Sequence, residues 1–295
     1  RALGPMEALL SALRQASAAR EAAVRLTKAE SAAPNRVQLP KDIAAGVALH
    51  RATMMFRNAK RPAIRNVSLS IKPGECISVA GPSGSGKSSL IRVIAGIDTP
   101  TNGQVRVAGF DPARMPTDSR AEMIGWMGQD VRLYPGTVAE NIARFADVPF
   151  EQVVEAADRA EARAAIEDLP QGFDTLIGRG GMDLTPGLRQ RVALARALFG
   201  SPKLIIFDQP TAQADADGEI ATLNALRRLK EAGTTLIVVS HKPVMAALAD
   251  RILVMKDGAV SRFADRDEII SSMRRTSIGP VNRATAPTQQ KEAAQ

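Results

Sequence analysis

Apolar positions in this chain recur every second residue in some stretches and about every 3.6 residues in others, and the two patterns alternate. Leu3, Met6, Leu10, Leu13 and Val24 stand at roughly helical spacing among Ala, Arg and Glu, which predicts one amphipathic helix over residues 1–30. Ala32-Ala33-Pro34 ends it, and residues 31–42 read as a linker. From Val47 to Ile71 the pattern predicts strands broken by a turn around Asn58 to Pro62, closing at Pro73-Gly74. Cys76 to Ala80 is a short buried strand, and after a Gly-rich loop Ser89 to Ala95 has the apolar face of a helix. Gly103 to Gly109 alternates like a strand between turns, and Ile124 to Met127 is another. A helix-rich block follows from about Thr137 to Leu169, then a helix from Gly187 to Phe199. Strands return at Leu204 to Phe207 and Thr235 to Val239, with the helix Gly218 to Glu231 between them.

This alternation of strand and helix implies an α/β fold, a sheet with parallel strands and crossover helices. The helical block, over about residues 130–200, interrupts it as an inserted subdomain within a domain expected over residues 43–273. From residue 274 to 295 the tail is rich in Thr, Ala, Gln and Pro, the composition of a disordered segment.

Composition narrows the function classes. At 295 residues and 45% hydrophobic, the chain has material for a sizeable core. No stretch approaches the roughly 18 consecutive apolar residues of a membrane span. No secretory signal is visible. The single cysteine, Cys76, lies on a strand, has no partner for an internal disulfide, and reads as a small core residue. The net charge of +8 raises nucleic acid and anionic membrane as partners. Aromatics are scarce and the cations scattered, Arg57, Lys60 and Arg61 in one place and Arg227, Arg228 and Lys230 in another. Nucleic-acid binding is therefore not expected. A position near a negatively charged leaflet and an ordinary solvated surface both account for the charge.

The strongest chemical signal is Gly81-Pro82-Ser83-Gly84-Ser85-Gly86-Lys87-Ser88, a full match to the phosphate-binding pattern G-x-x-x-x-G-K-S/T, with Ser89 directly beyond it. It lies between a strand and a helix, as that site requires. Glycines there let successive backbone N–H groups turn inward on the α and β phosphates, at the positive end of the helix. Lys87 is placed for the β and γ phosphates and Ser88 for Mg²⁺. Leu204 to Asp208 is an apolar strand ending in a carboxylate, as the second Mg²⁺ ligand of such a site should be. The chain is expected to bind ATP with Mg²⁺.

With these motifs in this order, from about Val47 to about Ser271, the chain resembles the nucleotide-binding domain of an ABC transporter: a P-loop NTPase core carrying a helical subdomain. The resemblance implies further roles. Gln129, in Met127-Gly128-Gln129-Asp130, matches the Gln loop that touches Mg²⁺ and the attacking water and senses the membrane domain. His241, in Val239-Ser240-His241-Lys242, matches the switch histidine at the γ phosphate. Phe56 falls where an aromatic stacks on adenine, and Thr211 to Asp215 fall on the loop through which the two chains of a dimer communicate.

Two departures stand out. Where the family has a Glu that polarises the attacking water, this chain has Gln209, an amide that can hold a water but cannot take its proton at neutral pH. Where the family's signature reads Leu-Ser-Gly-Gly-Gln, this chain has Leu184-Thr185-Pro186-Gly187-Leu188. Thr185 keeps the hydroxyl and Gly187 the glycine that face the opposite chain's γ phosphate, while Pro186 removes an N–H and Leu188 a polar side chain. In a head-to-tail dimer the two defects weaken different ATP sites. An engineered Glu-to-Gln trap would not explain the altered signature, so natural degeneracy is the expected origin.

The segment from Arg1 to Arg20, together with Gly125 to Val131 and Gly136 to Ile142, is similar to type I secretion exporters, particularly those exporting proteases and repeat-in-toxin proteins. Arg179 stands where such exporters usually place a Glu against the membrane domain. The resemblance implies an ATP hydrolase with impaired turnover, at the cytoplasmic face of the inner membrane. Its implied partners are a second ATP-binding domain, a membrane domain upstream of Arg1, a periplasmic adaptor and an outer-membrane channel. A non-transport ABC ATPase acting on DNA or ribosomes and a stand-alone importer subunit are the alternatives.

Overall fold

One twisted sheet separates two apolar cores, and the period-two side-chain alternation of its buried strands decides which residue enters which core. The computed structural model describes residues 43–277, apart from 58, 179, 180, 182, 213 and 215, together with residue 20. The expected helix over residues 1–30 (residue 20 apart), the linker, the end of the tail and Arg179 lie outside the described residues, as do Gln213 and Asp215.

The chain enters through an antiparallel pair, β1 (Val47–Met54) and β2 (Ile64–Ile71). Strict alternation breaks in both strands, at Arg51 with φ 48° and Asn66 with φ 49°, where the register shifts. Arg51 N–H donates to Ser68 Oγ at 2.9 Å and Asn66 N–H to Thr53 Oγ1 at 3.0 Å. These left-handed residues reset the phase, so Ala52 and Met54 return to the buried face.

Next come β3 (Cys76–Ala80), α1 (Lys87–Ile94) and β4 (Asn102–Val107), which pairs with the free edge of β1. Helix α2 (Thr117–Met123) leads into β5 (Ile124–Met127), and the two-residue strand β6 (Gly136–Thr137) opens the helical layer. That layer contains α3 (Val138–Ile142), α4 (Phe150–Arg159), α5 (Arg163–Glu167), the short β7 (Leu176–Ile177) and α6 (Pro186–Leu198). Thr137 and Glu140 form a reciprocal capping box that starts α3. The chain returns to the sheet with β8 (Leu204–Asp208), α7 (Ala216–Glu231), β9 (Thr235–Val239), α8 (Pro243–Leu248), β10 (Arg251–Lys256), β11 (Ala259–Asp265) and α9 (Arg266–Ser277).

The central sheet runs β11-β10-β3-β9-β8-β5, parallel throughout except for β11. Strands β3, β8 and β9 are apolar on both faces because both faces are covered. Ile77, Val79, Ile206, Ile237 and Val239 point into one core with α1 and the β1-β2-β4 sheet. Cys76, Ile205, Phe207, Leu236 and Val238 point into the other, with α3 to α7. Burial pushes the Cys76 thiol up to about 12, so it stays an inert core group.

Several elements exceed the sequence reading, among them α2, the β6–β7 pair and α8. The β10–β11 hairpin was not expected, although Asp257-Gly258 at φ 49° and 77° is a two-residue turn of the hairpin type. Helix α9 runs to Ser277, past the expected start of the tail at residue 274.

Candidate functional site

Because the strands are parallel, their carboxyl ends share one edge, and the loops leaving them converge there. Register aligns Val79 with Val239, Asp208 with Val239 and Met127 with Phe207. The residues just beyond are Gly81, Gln209, His241 and Gln129. Four separated motifs therefore emerge from neighbouring strands on the same side of the sheet.

The loop Gly81 to Ser88 turns through positive φ, which favours glycine, at three places. Gly81, Gly84 and Gly86 have φ 145°, 74° and 95°. A Cβ on Gly81 would lie 2.3 Å from the Met255 carbonyl oxygen, and one on Gly86 2.2 Å from that of Ala63. Gly84, beside Pro82 and Ser83, faces open space and needs only its left-handed backbone. The loop is thus clamped between the β1–β2 connection and the β10–β11 hairpin, whose Gly258 N–H donates to Ser85 O at 3.1 Å. These backbone contacts leave no trace in the sequence motif.

Lys87 is 6% exposed, and its Nζ donates to Gly81 O and Pro82 O, each at 2.8 Å. Burial pulls its ammonium below the ordinary lysine range, partly opposed by Asp208. Asp208 is buried, and burial raises its carboxyl above the usual range despite a hydrogen bond from the Ser88 hydroxyl and the charge of Lys87. Its Oδ1 has no hydrogen-bond partner, and neither does the buried Ser85 Oγ. A hydroxyl and a carboxylate already in contact, with an adjacent oxygen unsatisfied, fit a hard divalent cation bridging to phosphate. Among the described residues no cluster of three or more His, Cys, Asp or Glu could hold a metal by itself, so such a cation would need ligands beyond acidic and imidazole side chains, among them phosphate and water.

Gln209 follows Asp208 with φ 56°, an uncommon conformation for a non-glycine residue. Its N–H donates to Val239 O at 2.9 Å and its carbonyl accepts from Ala212 N–H at 3.1 Å, which hold the strained turn in place. His241 and Gln129 are exposed. Phe56 is 50% exposed at the start of the β1–β2 connection that clamps the phosphate loop, so it is a surface aromatic rather than a core one.

The signature stretch lies elsewhere. Thr185 caps α6, its Oγ1 accepting from Leu188 N–H at 3.3 Å, and Pro186 takes the first helical position. Gly187 is buried, and Leu188 packs against the helical-layer core. Pro186 is at home there structurally, since that position makes no intrahelical N–H bond, but one donor is missing from an exposed helix N-terminus. Thr185 and Gly187 sit in the layer built by α3, α4 and α6, not on the edge that carries the phosphate loop.

Comparison with known proteins bears on the family and the fold. The sequence pattern of the family described as ABC transporter matches residues 64–212, about half of the chain. The chain is 38% identical over 279 residues to the type I secretion system ATP-binding protein PrsD of Rhizobium meliloti, covering 93% of this chain and 48% of that protein. It is 37% identical to the alpha-hemolysin translocation ATP-binding protein HlyB of Proteus vulgaris, covering 70% of this chain and 29% of that one. Among solved structures, a bacterial Atm1-family ABC exporter with ATP bound superposes with a TM-score of 0.73 at 28% identity, over 84% of this chain and 44% of that one. The chain therefore spans less than half the length of each of these relatives. Family pattern and fold converge on one assignment: the chain belongs to the ABC transporter family and is related to the ATP-binding proteins of type I secretion systems.

Proposed function

We propose that this chain is the ATP-binding domain of a type I secretion-like exporter, and that it is a degenerate half, a better nucleotide switch than catalyst. The observation that carries the reading is the pairing of an intact phosphate loop and Asp208 with Gln209 at the next position. Nucleotide phosphates would draw Lys87 from the carbonyls of Gly81 and Pro82 and accept N–H groups from Gly81 to Ser89. Ser88 and Asp208, with Gln129 on the adjacent strand end, would hold Mg²⁺, which neutralises charge on the β and γ phosphate oxygens. Phe56 would stack on adenine and His241 would contact the γ phosphate. Gln209 would position a water without accepting its proton. Thr185 and Gly187 would face the ATP held by a second ATP-binding domain.

In this reading ATP closes the dimer and ADP release reopens it, driving alternating access in a membrane domain fused to or associated with the chain, at the cytoplasmic face of the inner membrane. A periplasmic adaptor and an outer-membrane channel would complete the export path.

The test is MgATP turnover beside the Gln209→Glu variant, with ATP binding followed in parallel. Restoring a general base is expected to raise turnover by about 10²–10⁴-fold with binding unchanged. If both forms bind and neither hydrolyses, the altered signature is a second block, and the chain needs an intact partner. Failure of both to bind ATP would sink the reading.

A further inference from the structure

His241 is exposed where the chain leaves β9, and its imidazole makes no hydrogen bond to a described residue. Its direction is set by the backbone that carries it. On the near side Ser240 is 8% exposed, and its Oγ accepts from Lys242 N–H at 3.1 Å, closing a turn that straddles His241. On the far side Lys242 caps α8 and Pro243 takes the first helical position, where its ring fixes φ. Met245 N–H donates to Lys242 O at 3.1 Å, which completes the start of that helix.

The Lys242 side chain reaches across to a neighbouring element. Its Nζ donates to Glu219 Oε2, in an ion pair whose members are 39% and 29% exposed. Glu219 lies in the first turn of α7, the helix that follows Asp208, Gln209 and the buried Thr211. Thr222 Oγ1 donates to Gly218 O at 2.8 Å and braces that turn. Strands β8 and β9 are paired, Asp208 against Val239. One end of the ion pair therefore hangs from the strand that carries Gln209, and the other from the strand that carries His241. A pair this exposed adds little to stability, so its consequence is one of geometry.

We propose that Glu219 and Lys242 are positioning residues for His241: their ion pair ties the loop leaving β9 to α7 and sets the direction from which the imidazole meets the γ phosphate. This rests on the role of His241 given above and adds what holds it in place. Lys242 acts through the backbone it shares with His241, because its ammonium is already engaged by the Glu219 carboxylate. A displaced His241 forfeits a contact that only a nucleoside triphosphate makes. The pair therefore governs discrimination between ATP and ADP rather than nucleotide binding as such.

The test titrates the full-length protein calorimetrically with MgADP and, separately, with the magnesium complex of AMP-PNP, a triphosphate analogue that resists hydrolysis, and follows the ratio of the two affinities. His241→Ala should lower the preference for the triphosphate by about 10–100-fold, the loss of one hydrogen bond to a charged group, with ADP affinity unchanged. Lys242→Met and Glu219→Gln should each lower it by at least about threefold, and neither should add to the loss in His241→Ala, as coupling through one group requires. Lys242→Arg should keep the preference, since it keeps the ion pair. Glu219→Gln also separates positioning from direct phosphate binding, because a Lys242 freed to bind phosphate would raise the triphosphate affinity. A preference unmoved or raised by Glu219→Gln, a loss that adds to that of His241→Ala, or an equal fall in ADP affinity overturns the positioning role and leaves His241 at the γ phosphate. If His241→Ala itself leaves the preference unchanged, the role of His241 fails and the positioning pair with it.

Discussion

Asp208 exposes a conflict between stability and nucleotide binding, and its replacement by Asn should make the ligand-free domain more stable. The carboxyl is 4% exposed, with Oδ1 unpartnered and only Ser88 and Lys87 to favour its charge. Burial outweighs both, so its pKa in the folded protein lies above the unfolded value of about 3.9. Below that unfolded value the group is neutral in both states and costs nothing. The penalty starts as pH rises past the unfolded value and is complete once pH exceeds the folded pKa. Asparagine keeps an acceptor for Ser88 and removes the buried charge. An unsatisfied buried polar group costs on the order of 1–3 kcal/mol, and in a domain of this size each kcal/mol moves Tm by about 2–4 °C. Thermal melts at pH 7 without ligand should therefore place Asp208→Asn about 2–12 °C above the parent, the gap narrowing as pH falls toward the unfolded value. Added MgATP should reverse the order, because only the parent gains the metal-linked part of the binding free energy. A ligand-free variant that melts at or below the parent at pH 7 refutes the reasoning.

The phosphate-loop glycines should separate by what surrounds them. Gly86→Ala meets the Ala63 carbonyl and should abolish ATP binding, whereas Gly84→Ala, in open space, should cost about 1–2 kcal/mol for its left-handed backbone and leave measurable affinity in a nucleotide titration. Arg144→Met leaves four carbonyl acceptors without this donor and should lower stability by roughly 3 kcal/mol in chemical denaturation. Thr137→Ala removes the cap of α3 and should cost about 0.5–2 kcal/mol by the same measurement, with ATP binding unchanged.

The phosphate loop, Asp208 and the apolar runs of β3, β8 and β9 could be read from the sequence because each depends on neighbours in the chain. A glycine's backbone freedom, a helix start and a doubly covered strand are local properties. The same holds for Gln209 and Pro186, whose chemistry is visible at a single position. The Asp257-Gly258 turn was equally local and still escaped the sequence reading, since the strands beside it lack clean alternation: β11 is only half-buried along most of its length. The strand order could not be read at all. It depends on pairings such as Leu253 with Val79 and Ile206 with Ile237, far apart in sequence and equally apolar, so no residue advertises its partner. Only that order brings Gln129, Gln209 and His241 to one edge, presses Ala63 and Met255 onto the glycines, and sets Glu219 against Lys242. Local conformation follows from covalent geometry and side-chain type; convergence follows from packing, whose free energy is a property of the assembled whole.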